Sequence, residues 1–362
     1  MQKLLFIRYK KSKNIQEGGE QVSQRNYNGL SKLLGTKDIT TYYIHDESKK
    51  KSIKDYLTGL WFFFQNYFFG LSKQRVGTIV SMAFNFDIVF IDRSIFGIIA
   101  RELKTAGYTG QVISFFHNVE KQYFADKITP YKPWRKLVIR CADKNDMFAC
   151  RYSDKIIALN PRDAKEIKKL YHRDVDILIP VTLKDAYEQE AYPLENTSVP
   201  PLCLFIGAYF AANAEGIKWF VEEVYPHVNI RLKIVGKNMH RLKKDIILPP
   251  EIELISDAPS LHSYFEEADI LILPIFKGSG MKVKTCESLM YGKNIIASTE
   301  SFEGYELDYE QVGGLCNTQE EFIVKINNFI DHPRPKFNEY SRQIFLKKYS
   351  ENTVEDMFRL LI

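Results

Sequence analysis

Short apolar runs of strand length alternate with longer stretches of helical period along almost the whole chain. In the first half the strand-like runs are Lys3 to Arg8, Thr40 to Ile44, Asp87 to Ile91, Val112 to Phe116 and Lys155 to Leu159, with helical segments such as Gly19 to Leu34 and Pro161 to Tyr171 between them. The second half repeats the pattern with Leu202 to Ile206, Arg231 to Val235, Glu251 to Ile255, Ile270 to Pro274 and Asn294 to Ser298. Strands that alternate with helices predict parallel α/β architecture, so each half reads as a doubly wound, Rossmann-like domain.

The stretch from Thr182 to Pro201 is rich in Glu, Tyr and Pro and ends in Val-Pro-Pro, which continues neither helix nor strand. It is expected to be a linker over 182–201, separating domains at 1–181 and 202–335. After the break His332-Pro-Arg-Pro, apolar Ile344, Phe345, Tyr349, Val354, Met357 and Leu360 predict one last helix from Asn338 to Ile362, within a terminal segment 336–362. There is no internal repeat and no low-complexity stretch.

Composition narrows the classes. A length of 362 residues fits about two domains, and 45% hydrophobic with 14% aromatic residues excludes a disordered chain. The longest apolar run, Leu60 to Phe64, stops at Gln65, far short of the ~18 residues of a spanning helix. The N-terminus has no long apolar region with a cleavage site, so a cytoplasmic location is expected. Five cysteines at no metal-like spacing read as reduced and buried, and the histidines form no metal-binding pair, so no metal site is expected. Residues 1–180 carry 31 Lys+Arg against 18 Asp+Glu, a net of +13. The rest carry 19 against 27, a net of −8.

Ligands of open parallel sheets bind beyond the carboxyl ends of the strands. The most informative such segment is ILILPIFKGSGMKVKTCESLMYG, residues 270–292. A strand ends at Pro274, a loop carries Gly278, Ser279 and Gly280, and a helix is expected to start near Met281 with Lys282, Lys284 and Glu287 in its first two turns. Glycines at a helix start let backbone N–H groups approach an anion. Two lysines there oppose the helix dipole, and a bound diphosphate would compensate them. Glu287 lies three residues beyond Lys284, where it can accept from ribose hydroxyls or simply pair with Lys284 on the surface.

This segment resembles retaining glycosyltransferases of the GT-B fold, the large group that includes family 4. Their donor domain carries a Glu, seven residues, Glu motif. Glu287 matches the second glutamate and Ser279 stands in place of the first, while Gly-Ser-Gly-Met-Lys is similar to a subset of the group. The segment from Phe205 to Phe220 resembles the start of the donor domain, with Gly207 and Ala208 near the diphosphate and Asn213 as a helix cap. Gly236 and Lys237 form another strand end, a wall of the nucleotide pocket; Asp257 and the pair Glu303-Gly304 occupy equivalent strand ends. In the first half, His117 within Phe115-Phe-His-Asn-Val-Glu120 matches the family histidine near the donor sugar, with Asn118 and Glu120 on the acceptor side. A lone strand-end histidine can equally be structural. Gly18 and Gly19 resemble the family's first-loop double glycine, with Gly18 on the acceptor side and Gly19 near the donor phosphate, and also serve as plain helix punctuation.

The resemblance implies an α/β chain with two Rossmann-like domains facing across a cleft and a C-terminal helix returning to the first. It also implies transfer of a sugar from a nucleotide-diphosphate sugar with retained configuration, without a metal or other cofactor. His117, Lys282 and Glu287 would be the catalytic residues, and Gly19, Gly207, Ala208, Gly236, Lys237, Gly278, Ser279, Gly280, Met281 and Lys284 the donor-binding ones. The acceptor would be a saccharide or a polyprenyl-diphosphate-linked saccharide of bacterial surface polysaccharide synthesis. The stretch from Lys49 to Phe69 combines lysines with aromatics and suits either docking on an anionic membrane at the inner face of the cell or packing on the sheet. No nucleic-acid motif accompanies it. Two alternatives share the fold: a non-catalytic partner subunit, favoured by Ser279, and a sugar-nucleotide epimerase.

Overall fold

The computed structural model describes residues 2–10, 18–45, 61–68, 70–128, 134–188 and 200–362. The chain forms two compact units, Met1–Pro180 with Glu351–Ile362, and Val181–Ser350.

The first unit is built on β1 (Leu4–Lys10), β2 (Ile39–His45), β3 (Ile88–Ile91), β4 (Gln111–Phe116), β5 (Lys155–Ala158) and β6 (Ile177–Leu178), in the order β2-β1-β3-β4-β5-β6. All five pairings are parallel, with Leu4 opposite both Ile39 and Ile88. Leu4 to Ile7 and Ile88 to Ile91 are fully buried, as expected of parallel strands covered by helices on both faces. Phe6 stacks on Phe90 at 5.3 Å between ring centres.

The second unit contains β7 (Leu202–Ile206), β8 (Arg231–Gly236), β9 (Glu253–Ser256), β10 (Ile270–Leu273), β11 (Asn294–Ala297) and β12 (Gly313–Leu315), ordered β12-β11-β10-β7-β8-β9. It too is parallel throughout. The strand order reverses between β7 and β10 here, and between β1 and β3 in the first sheet. Those are the positions where a crevice opens at the strands' carboxyl ends.

The ten strands expected from the sequence are present, and β6 and β12 add one edge to each sheet. Both are short. β12 begins with two glycines, of which Gly313 has φ +145 and leaves no room for a side chain, a Cβ there lying 2.4 Å from the Ile295 carbonyl oxygen.

The terminal segment is not one helix. A helix over Glu339–Ile344 runs into a wider π turn over Phe345–Tyr349 and stops at the extended residue Ser350, which bridges Leu183. Chain direction then changes through Glu351–Thr353, and a separate helix, Val354–Arg359, packs in the first unit. Its Phe358 lies against Gly29, where a Cβ would come within 3.0 Å. The expected linker is likewise tied down where it is described: Thr182 and Leu183 are buried, and Arg342 grips Asp185 through both carboxylate oxygens.

Among the described residues no helix is long and apolar enough to cross a membrane. All five cysteines are buried and unpaired with one another, and no group of three or more metal-ligating side chains occurs among the described residues. Residues 49–60 and 69 of the aromatic stretch lie outside the described residues. Of its remainder, Phe63, Tyr67 and Phe68 enter the core of the first unit, whereas Trp61 and Phe64 are exposed.

Candidate functional site

At the switch point of the second sheet, β7 is followed by Gly207 and β10 by Pro274. The backbone is packed too tightly there for side chains. A Cβ on Gly236 would lie 1.8 Å from the Gly207 carbonyl oxygen, and one on Gly216 would lie 2.0 Å from the Pro274 carbonyl oxygen. Glycine therefore sets how closely β8 and the helix Ala211–Trp219 approach the strand ends. Tyr209 N–H donates to the Lys237 carbonyl at 2.9 Å, joining the loops that follow β7 and β8. Beyond β9, Asp257 adopts φ +59 and accepts from the Asn238 N–H at 2.9 Å.

The loop after β10 turns through Gly278 (φ +155) and Gly280 (φ +62), the latter a left-handed conformation that favours glycine. It is fastened from behind. Ser301 Oγ donates to the Leu273 carbonyl at 2.6 Å, Ser298 Oγ donates to that of Ile275, and Tyr305 OH donates to that of Lys282 at 2.8 Å. The helix that follows is Val283–Met290, so Lys282 is its N-cap residue and not part of its first turn. Met281 is buried, its sulfur accepting the Val181 N–H, which removes it from the ligand-facing group expected from the sequence.

The two lysines are differently placed. Lys282 Nζ lies 2.6 Å from Glu300 Oε1 and 2.9 Å from the Gly280 carbonyl, so a protein carboxylate meets its charge without any bound anion. Ser279 contributes its carbonyl to the same ammonium at 3.4 Å.

Lys284 Nζ donates instead to Asn213 Oδ1 at 2.6 Å and lies 4.9 Å from the centre of the Phe205 ring. A Cβ on Gly207 would come within 2.8 Å of it. No carboxylate among the described residues pairs with it. Burial, and then repulsion from Lys282, lower its pKa to about 7, with the Glu287 charge opposing.

Asn213 is therefore not the helix cap expected from the sequence. The helix begins at Ala211 with Phe210 before it, and the Asn213 side chain spans from Lys284 to the Ala208 carbonyl, to which its amide donates at 2.7 Å.

In the first unit the candidate residues gather at the β1–β3 switch. Gly18 opens the helix Gly18–Leu34, and Gly19 lies against Arg93, whose Nη2 would be 2.8 Å from a Cβ. Buried Glu20 holds Arg93 at 3.2 Å and Arg8 at 3.5 Å. His117 is buried at the end of β4, its Nε2 3.6 Å from Asp92 Oδ1 and its ring edge-on to Phe115. Asn26 donates to the same Asp92 oxygen at 2.7 Å. Burial lowers the His117 pKa against the pull of Asp92, and Arg93 and Arg25 lower it further. Burial alone would raise the Asp92 carboxyl, but the contacts with His117, Ser23 and Asn26 hold it below the usual range.

Asn118 is half-buried. Glu120 starts the helix Glu120–Lys127 and is buried close to Asp146, whose carboxyl is raised well above its usual value by burial and by the Glu120 charge. Asp146 Oδ2 accepts the Lys121 N–H at 3.2 Å, so it caps this helix from a neighbouring one.

Arg8, Asp92, Arg93, Asn26 and Glu300 were not singled out by motif reasoning. Asp92, Arg93 and Glu300 stand just beyond strands β3 and β11, and inspection of every strand end would have found them.

Residues 200–332 match the sequence profile of glycosyl transferases group 1. No curated protein matches the chain. Among solved structures, HepE of Anabaena in complex with UDP-glucose superposes with a TM-score of 0.66 at 11% identity, over 100% of this chain and 99% of that one. The sucrose-phosphate synthase of Thermosynechococcus elongatus does so with a TM-score of 0.70 at 12% identity, over 100% and 99%. The chain has the GT-B fold. A third GT-B structure, the lipopolysaccharide outer core galactosyltransferase WaaB, gives a TM-score of 0.64 at 12% identity over 99% of both chains.

Proposed function

We propose that the protein transfers a sugar from a nucleotide-diphosphate sugar to a saccharide acceptor, with the donor held at the β7–β10 switch point. The observation that carries this reading is Lys284, a buried amine with no protein carboxylate paired to it among the described residues, set between the glycine-lined end of β7 and the start of the helix Val283–Met290. The profile match over 200–332 and the UDP-glucose held by HepE support a nucleotide sugar as the donor.

In this reading Lys284 and the backbone N–H groups of the Gly278–Gly280 turn stabilise charge on the departing diphosphate, without a metal. Glu287 receives the ribose and His117 the sugar, while Asn118 and Glu120 belong to the acceptor side. Catalysis rests on positioning and electrostatics. The acceptor oxygen attacks from the face that the diphosphate leaves, a diphosphate oxygen takes its proton, and configuration at the sugar is retained. A lipid-linked saccharide of a bacterial surface polymer is the acceptor class, at the cytoplasmic face of the membrane. Exposed Trp61 and Phe64 favour that membrane contact.

A thermal-shift screen over uridine, guanosine, adenosine and thymidine diphosphate sugars tests the donor, since a ligand of the native state raises apparent stability according to its affinity. Incubation with the stabilising donor and saccharide acceptors, read by NMR for the new anomeric configuration, tests transfer and retention. Activity unchanged by EDTA is the expected result. Ser279 favours a non-catalytic partner subunit as the second reading; donor binding with no transfer to any acceptor would establish it.

A further inference from the structure

We propose that Lys284 takes up a proton when the nucleotide diphosphate binds, with Asn213 as the positioning residue that keeps its amine in place, while Lys282 is a brace for the loop. This rests on the donor reading above and specifies how the charge at that site is supplied.

The geometry separates the two lysines. Lys282 is committed to Glu300 at 2.6 Å and to two carbonyls of its own loop, an arrangement that already balances a full positive charge. The amine of Lys284 has an aromatic face, an amide oxygen and a glycine around it. Such surroundings supply no counter-charge, while Asn213 Oδ1 can receive a hydrogen bond from the amine in either protonation state. The charged groups bearing on it are Lys282, which disfavours protonation, and Glu287, which favours it. In the free protein burial first, and then the Lys282 charge, lower its pKa to about 7.

A diphosphate carries opposite charge, which favours the ammonium, outweighs the loss of displaced water and raises the pKa of the amine. The proton comes from solvent. Above pH 7 binding is then accompanied by uptake of close to one proton, and affinity declines as pH rises until the pKa of the complex is passed. Asn213 couples the two loops, because one amide holds both the Ala208 carbonyl and Lys284.

Calorimetry of UDP, GDP and ADP binding to the full chain at pH 8, in buffers of low and high ionisation enthalpy, measures the proton number directly. At this pH the terminal phosphate is itself fully ionised. The expected result is uptake of more than half a proton by the wild type, and an affinity about tenfold weaker at pH 8.5 than at pH 7.5. Uptake should vanish in K284R, whose guanidinium is always charged. It should vanish equally in N213D, which places a permanent carboxylate beside the amine. Binding without proton uptake in the wild type overturns the proposal and leaves the donor reading intact, as does uptake that persists in both variants. Failure of all three nucleotides to bind overturns both.

Discussion

The side-chain oxygen of Asn213 lies 2.6 Å from the amine nitrogen of Lys284, and the amide nitrogen of the same residue lies 2.7 Å from the Ala208 carbonyl. One buried amide thus joins the turn after β7 to the helix after β10. A hydrogen bond to a charged group contributes about 1.5–3 kcal/mol. Removing it in Asn213→Ala should weaken nucleotide-sugar binding about tenfold or more while the fold persists. Titration calorimetry beside circular dichroism checks both halves; unchanged affinity would show that Asn213 does not position the lysine.

Lys282 and Glu300 are a largely buried pair, and removing one partner leaves the other uncompensated. Lys282→Met should lower stability by about 1–3 kcal/mol, and adding Glu300→Gln should recover much of that loss. Denaturant unfolding of the two single variants and the double variant measures the coupling. Additive losses would mean that the pair does not brace the loop.

Gly236→Ala asks the chain to place a methyl group 1.8 Å from the Gly207 carbonyl oxygen. Since both positions are backbone, the end of β7 has to move. Loss of thermal stability in the second unit together with loss of nucleotide binding is the expected outcome, read by differential scanning calorimetry with and without ligand.

His117 has a pKa lowered by burial, so the unfolded chain binds its proton more readily than the folded one. Its contribution to stability is fully present above the unfolded value of about 6.5 and is lost as pH falls through the folded value. Asp92, also lowered, acts in the same direction at more acid pH. Stability of the wild type should therefore rise as pH climbs toward about 6.5, and this slope should flatten in His117→Gln. An unaltered slope would assign the titration to another group.

Asp146 shows the opposite sign. Its carboxyl is raised by burial and by Glu120, so the charged form is disfavoured in the folded protein. As pH climbs above the unfolded carboxyl value of about 4, wild type should lose stability relative to Asp146→Asn. The variant keeps an oxygen for the Lys121 N–H, whereas Asp146→Leu does not and should loosen the start of the helix after His117. Comparison of pH-dependent melting in the three proteins tests this.

The sequence by itself determined the two parallel sheets, because continuous apolar runs such as Leu4 to Ile7 and Ile270 to Leu273 have no stable place except between covering helices. It also determined the loop after β10, since Gly278 and Gly280 adopt backbone angles that other residues reach at a cost. Edge strands β6 and β12 escaped because two or three residues carry no period, and the last helix was read too long because Ser350 gives no local stop signal of the Gly or Pro kind. Only the tertiary structure decided the charges. Whether a lysine near a helix start meets a protein carboxylate or is left with an amide depends on which distant strand ends arrive beside it, and β11 brought Glu300 to Lys282 while β7 brought Asn213 to Lys284. Spacing along the chain holds no record of that pairing, since the partners are 18 and 71 residues away and the sheet order alone makes them neighbours.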